Sequence, residues 1–247
     1  MFALRRTISD AIAQTDMFHN PTGTTWMIAS CLWGVAAVGV WSWTTCYEFK
    51  TDAPSATLAS LERWPSDSEL VLAGDRPTLV FFVHPRCPCT RASVRQLERT
   101  LTGAGLSNGA QPKLIVVATV PEDADRAWRA TDVITRSARL PFAEVHWDTS
   151  GKESSRFGAT TSGTLMLFQP DGALCFAGGV TSSRGHEGDN QGSRNLLVAL
   201  RQEQSLAISH QPVFGCKLCT EFDFATCNNN CALMPSDGEH STEGANR

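Results

Sequence analysis

A strand that runs straight into two cysteines sets the terms for this chain. Thr78-Leu79-Val80-Phe81-Phe82-Val83 is apolar and rich in Val and Phe, the composition of a buried strand. It leads into His84-Pro85-Arg86-Cys87-Pro88-Cys89-Thr90 and then into Arg91 to Leu101, where Val94, Leu97 and Leu101 share one helical face. A pair of thiols is thereby delivered to the first turn of a helix. Unpaired N–H groups and the positive end of the helix dipole favour thiolate over thiol there. That placement points to redox or soft-metal chemistry. The competing reading is two structural cysteines that happen to be near neighbours.

Composition narrows the setting. The chain has 247 residues, which allows one ordinary domain plus appendages. Net charge is -4 and no basic stripe is present, so nucleic acid is excluded as a partner class. Nine cysteines are many for a reducing compartment. Cys87 and Cys89 are two of them, and Cys216, Cys219, Cys227 and Cys231 form a C-terminal group. Cys31 and Cys46 fall in an apolar span, and Cys175 in an apolar strand.

That span, residues 26–47, carries no charged side chain and is long enough to cross a bilayer. Trp26 at one end, with Trp41, Trp43 and Tyr47 at the other, matches interfacial aromatic belts. A buried soluble helix and a cleaved signal peptide are the rivals. Against cleavage, the polar segment before the span is long, and no small-x-small site closes it. The reading is an uncleaved single-pass anchor. Charge does not orient it, because Arg5 and Arg6 nearly balance Lys50 and Arg63. The cysteines place the C-terminal domain outside the cytoplasm, on the periplasmic side.

The predicted organisation is a polar N-terminal segment over 1–25, the anchor over 26–47, a linker over 48–66, a folded domain over 67–207, a Cys-rich extension over 208–231 and a disordered tail over 232–247. In the linker and domain, helices are expected over 58–64, 91–101, 121–140, 151–157 and 195–205. Strands are expected over 69–73, 78–83, 113–120, 144–148, 164–169 and 173–177, the last two joined by the Pro170-Asp171-Gly172 turn. A Gly-rich polar loop, Gly178 to Asn190, follows the hairpin.

This order is that of an α/β, thioredoxin-like fold: a central mixed sheet flanked by helices, here with an N-terminal transmembrane helix and a Cys-rich C-terminal extension. Phe82-Val83-His84-Pro85-Arg86-Cys87-Pro88-Cys89 resembles the thioredoxin strand-and-CxxC segment with one residue deleted between the cysteines. Arg156 to Thr164, followed by Leu165 to Phe168, resembles the segment that carries the family's cis-proline. The similarity covers roughly 78–206. The layout, with Gly178 to Asn190, is most similar to a group of membrane-tethered envelope proteins called RedB-like.

Three departures stand out. The motif is Cys-x-Cys. Gly163 stands where the family has its cis-proline. Phe81 stands where thioredoxins bury a carboxylate that accepts protons. Another base is then needed, and His84 and His186 are the candidates.

The resemblance implies thiol–disulfide exchange with protein thiols or disulfides, Cys87 attacking and Cys89 resolving, with no cofactor beyond the redox-active disulfide. Pro88, Ser162, Gly163, Thr164 and Arg184 are the expected substrate contacts. A Cys-x-Cys disulfide closes a smaller ring than Cys-x-x-Cys, and the strain makes it more oxidising. The alternative is copper: Cys87 and Cys89 with His186 suit a soft Cu(I) ion, as in some copper-assembly proteins of the superfamily. A peroxidase fits poorly, because the Pro, Thr, Cys spacing of the peroxiredoxin turn is missing. A non-catalytic interaction module stays open, since fold does not fix function.

The C-terminal cysteines read C-x2-C-x7-C-x3-C. Two structural disulfides are favoured over a closed zinc site, because the pairs lie close together for a zinc ribbon. A third reading is a relay in which Cys216 or Cys219 exchanges with Cys87 and Cys89.

Overall fold

The computed structural model describes residues 21–51, 56–106, 111–201 and 208–218. Cys219, Cys227, Cys231, the predicted tail, residues 1–20 and part of the linker lie outside the described residues. The chain divides into two compact units, 1–48 and 49–247.

The first unit contains helix α1, Pro21–Glu48. It encloses the predicted span and extends beyond it at both ends. Its 28 residues measure about 42 Å at 1.5 Å per residue, more than the ~30 Å of a bilayer's hydrocarbon layer. Mean hydropathy over the span is 1.4, so the helix is long and apolar enough to cross a membrane.

The second unit is built on a six-stranded sheet in the order β3-β2-β1-β4-β5-β6. Central β1, Thr78–Val83, pairs in parallel with β2, Lys113–Val120, and β2 pairs in parallel with β3, Ala143–Thr149. On its other side β1 pairs antiparallel with β4, Leu165–Phe168, which forms the expected hairpin with β5, Leu174–Gly178. This is the thioredoxin-like arrangement, with the cysteine turn leaving the C-terminal end of the central strand. Strand β6, Ser209–His210, pairs in parallel with β5.

Alternation along the strands splits the core into two layers. Leu79, Phe81, Val83, Val116 and Leu167 point to one face, under Val94 and Leu97 of α3, Thr90–Gly103, and Leu196 and Leu200 of α7, Gln191–Arg201. Val80, Phe82, Val117, Met166 and Phe168 point to the other, against Leu58 of α2, Ala56–Ser60, and Phe157 beside α6, Lys152–Arg156. Trp64 caps that second layer edge-on to Phe157 and Phe168, with ring centroids 5.1 and 5.0 Å away.

Two predicted helices shift, 58–64 to Ala56–Ser60 and the start of 195–205 to Gln191, and two other expected elements come out differently. The helix over 121–140 is broken into α4, Arg126–Arg129, and α5, Asp132–Ser137. Asp125 and Thr131 each accept a backbone N–H from three residues ahead, so the stretch has two competing helix starts. The strand over 69–73 does not form. The backbone N–H groups of Glu69, Leu70 and Ala73 go instead to side-chain oxygens of Glu153, Ser68 and Thr78.

Candidate functional site

The site grows from the end of β1. His84 begins a turn in which the Cys87 N–H binds the His84 carbonyl, 3.0 Å, and the Thr90 N–H binds the Cys87 carbonyl, 3.3 Å. Helix α3 then starts at Thr90, so both cysteines sit on its N-terminal approach, as the sequence predicts. Cys87 has no exposed surface, Pro88 is exposed and Cys89 is half-buried.

Ser162 fixes this turn. Its hydroxyl accepts the His84 N–H at 2.8 Å and lies 2.7 Å from the Thr90 hydroxyl. Gly163 donates to the Phe82 carbonyl at 2.8 Å, and Phe82 donates to the Thr164 carbonyl at 2.9 Å. The position that resembles the cis-proline therefore holds a glycine at φ 102°, with its peptide bonds trans. A side chain there would be strained. It would also press on the Ser93 hydroxyl, 3.2 Å from where a Cβ would stand.

The main difference from the expectation is what lies on Ser162 and Gly163. Residues 209–218 cross the sheet edge as a strap. The strap's Gln211 N–H reaches the Ala177 carbonyl, 2.9 Å, and its Pro212 carbonyl accepts the Gly179 N–H, 3.2 Å. Next, Ser162 donates to the Cys216 carbonyl, 2.8 Å, and Leu218 to the Thr160 carbonyl, 2.7 Å, an antiparallel bridge about Thr161 and Lys217. The polar backbone edge expected to receive a substrate is thus already paired within the chain.

The strap brings a third sulfur. The Cys216 N–H points at the Cys87 sulfur, 3.4 Å away. The Cys216 side chain hydrogen-bonds with both Cys87 and Cys89. Close approach is what Gly215 provides: a Cβ on it would stand 1.8 Å from the Ser162 carbonyl oxygen. Cys216 is a thiol at this centre. The favoured reading of Cys216 as half of a structural disulfide does not foresee this, and of the readings open to the C-terminal cysteines only the relay brings Cys216 to Cys87 and Cys89. The hint available was Val213-Phe214-Gly215-Cys216, an apolar stretch with a glycine beside a cysteine.

Three adjacent thiols do not ionise alike. Hydrogen bonds from Cys216 and then Cys89 hold Cys87 well below the ordinary thiol range, outweighing burial, with help from the Thr90 hydroxyl and the Cys216 N–H. For Cys89, the Cys216 hydrogen bond lowers the pKa. The bond Cys89 gives to Cys87, burial and the Cys87 charge oppose it, and the net shift is upward. Cys216 is pushed up furthest, first by its bond to Cys87, then by its bond to Cys89 and by burial. Cys87 is therefore the group that becomes thiolate first.

His84, a candidate base from the sequence, is buried beside this centre. Its Nδ1 accepts the Arg86 N–H at 3.2 Å, and Trp128 of α4 meets its ring edge-on at 5.6 Å. The Arg86 guanidinium sits 3.9 Å from the centre of the Trp128 ring. Burial pushes the His84 pKa down, the Cys87 charge pulls it up, and Arg86 pushes it down again. Phe81 is sealed in the core, so its position offers no carboxylate.

The Gly-rich loop divides its labour. Glu187 binds Arg95 and Arg99 of α3 at 3.1 and 2.6 Å, which pins the loop. Arg184 donates to the Gly215 carbonyl at 2.5 Å, and its charge favours the Cys89 thiolate. The exposed His186 turns back on its own loop, Nδ1 lying 3.0 Å from the Ser183 hydroxyl and 2.8 Å from the Arg184 carbonyl. The groups that chiefly set the charge on Cys87 and Cys89 are the thiols, Thr90 and Arg184, and His186 is not among them. Among the described residues, no group of three or more His, Cys, Asp or Glu side chains is spaced to hold a metal ion. Cys87, Cys89 and His186, the set predicted for copper, do not form such a group.

No protein-family model and no curated protein matches the sequence. Solved structures do. A hypothetical protein from Sinorhizobium meliloti 1021 aligns over 68% of this chain and 97% of its own, at 20% identity and TM-score 0.48. A secreted Mycobacterium tuberculosis disulfide oxidoreductase homologous to E. coli DsbE aligns over 53% and 84%, at 14% identity and TM-score 0.35. Copper-bound ScoI from Bradyrhizobium japonicum aligns over 54% and 87%, at 18% identity and TM-score 0.36. The fold assignment rests on the strand order and the cysteine turn.

Proposed function

We propose that this chain is a membrane-anchored thiol–disulfide oxidoreductase in which Cys87 attacks and Cys89 resolves. One observation carries the reading: Cys87 is held toward thiolate by donors from two neighbouring thiols, the Thr90 hydroxyl and a backbone N–H. The same donors set the direction. A stabilised thiolate stabilises the reduced pair, which makes the corresponding disulfide a stronger oxidant. The short Cys-x-Cys ring acts in the same sense.

In the oxidising direction a substrate thiolate attacks the Cys87 sulfur of the Cys87–Cys89 disulfide. That bond breaks, and Cys89 leaves as a thiolate and takes up a proton. A second substrate thiolate then attacks the substrate sulfur of the mixed disulfide and displaces Cys87. The substrate loses two electrons to form its disulfide, and the Cys87–Cys89 pair gains them. His84 keeps a neutral ring beside Cys87 and shapes the turn. The anchor is the uncleaved apolar span of α1, with the exchange domain on the side away from the cytoplasm, a layout similar to the RedB-like group. The abundance of cysteine supports that side.

The test is equilibration of the full chain, in detergent, with glutathione buffers of graded poise, followed by acid quench and alkylation. A Cys87–Cys89 couple clearly more oxidising than thioredoxin's, about −270 mV, is expected. A potential at or below that value overturns the oxidant role. Stoichiometric copper on anaerobically purified protein, with both thiols masked, overturns exchange in favour of metal binding.

A further inference from the structure

The strap makes the contacts that an incoming peptide makes when it adds to a sheet edge: an antiparallel backbone bridge that places a side chain over the reactive group. Ser162 donates to the Cys216 carbonyl and Leu218 to the Thr160 carbonyl, at 2.8 and 2.7 Å. Just ahead of the first of those bonds the Cys216 N–H meets the Cys87 sulfur at 3.4 Å. Nothing of Cys87 is left exposed. Beside the strap lies a cavity of about 310 Å³, bordered by Thr161, Thr164, Ala177, Pro212 and Val213, so the strap is not packed solid along its length.

We propose that residues 209–218 are a built-in substrate and that Cys216 is a third exchanging cysteine, forming a disulfide with Cys87. This rests on the exchange reading above and adds its regulation. When Cys87 and Cys89 are joined, the Cys216 thiol loses its proton and its sulfur attacks the Cys87 sulfur. The Cys87–Cys89 bond breaks, the Cys87–Cys216 bond forms, and Cys89 leaves as a thiolate that takes up the proton. No electrons are gained or lost. The product fastens the strap over the site, and attack by Cys89 on Cys87 reverses it. An external thiol thus meets one of two oxidised forms: an open one with Cys87–Cys89, or a closed one with Cys87–Cys216.

The chain's trypsin sites make the test direct. Cleavage after Arg86 and Arg91 isolates Cys87 with Cys89, and Lys217 separates Cys216 from Cys219. Full-length Cys89→Ser in detergent is treated with oxidised glutathione, quenched in acid, alkylated and digested. Glutathione caps Cys87, and Cys216 displaces it, so the expected product joins peptide 87–91 to peptide 202–217. Persistence of the glutathione cap on Cys87, or a link from Cys87 to peptide 218–247, overturns the proposal while leaving exchange at Cys87 in place. If Cys87 takes no glutathione in any variant, the exchange reading itself falls. A second variant guards against misfolding at the cysteines. Gly215→Ala forces the strap off Ser162 and removes no further cysteine. It should cut the Cys87–Cys216 link in the Cys89→Ser background at least tenfold and expose reduced Cys87 to iodoacetamide. An undiminished link there counts against the strap as the cause.

Discussion

Cys87 and Cys175 are both buried thiols in the same domain, and their environments drive them in opposite directions. Cys175, on β5, donates its S–H to the Leu167 carbonyl at 3.2 Å. Burial pushes its pKa up to about 11, although the Gln169 amide offers it a bond. Cys87 is more deeply buried yet is pushed down, because what faces it are donors. Burial alone therefore says little about thiol reactivity. The sign is decided by whether the sulfur is asked to give a hydrogen bond or to receive several.

The largest expected break in that contrast is Cys87→Ser, which slows glutathione capture by the domain by about tenfold or more at pH 7. Cys175→Ala leaves capture unchanged and costs about 1 kcal/mol of stability. Mass spectrometry of quenched full-length protein reads both. Next comes the ionisation itself. Thiolate absorbance near 240 nm, followed from pH 4 to 10, should show a step below the ordinary thiol range that vanishes in Cys87→Ser and survives in Cys175→Ala. At pH 7 Cys175, with its pKa of about 11, is ionised to roughly one part in ten thousand. Iodoacetamide should leave it untouched in the native protein.

Smaller effects sharpen the contrast. Thr90→Val removes one donor to Cys87 and strips the buried Ser162 hydroxyl of a partner. The thiolate step should move upward, and stability should drop by about 1 kcal/mol in urea unfolding. The smallest concerns His84, whose pKa is lowered mainly by burial. In the folded chain its ring resists protonation, so between the lowered value and the unfolded value of about 6.5 the unfolded chain binds more protons. Stability from this group is complete above that unfolded value and is lost as pH falls through the window, at no more than about 1.4 kcal/mol per pH unit. Denaturant midpoints in this acid range should fall less steeply for His84→Gln than for wild type.

Much of the frame was legible in the residues. The Val- and Phe-rich runs at β1 and β2 and the Pro170-Asp171-Gly172 turn place the central strands and the hairpin, because burial on both faces demands continuous apolar runs. The helix over 121–140 misled, since apolar spacing does not register that Asp125 and Thr131 each start a short helix. At the site, Cys87 and Cys89 were legible from their position after a strand. The burial of His84 was not legible, because it depends on Trp128, forty-odd residues along, and on no local pattern. Cys216 was legible only as one of three readings, and the spacing favoured another. Its spacing to Cys219 suggests a local pair, whereas its place in space depends on a backbone approach to Ser162 that only a glycine at 215 permits.

Ser162 ties these parts together at a single residue. Its amide holds the Cys216 carbonyl, while its hydroxyl receives the His84 N–H and touches Thr90. Lifting the strap at Cys216 therefore removes a bond from the same residue that seats the nucleophile's loop. One residue thus serves as the shared hinge pin of the covering segment and of the loop that carries the nucleophile.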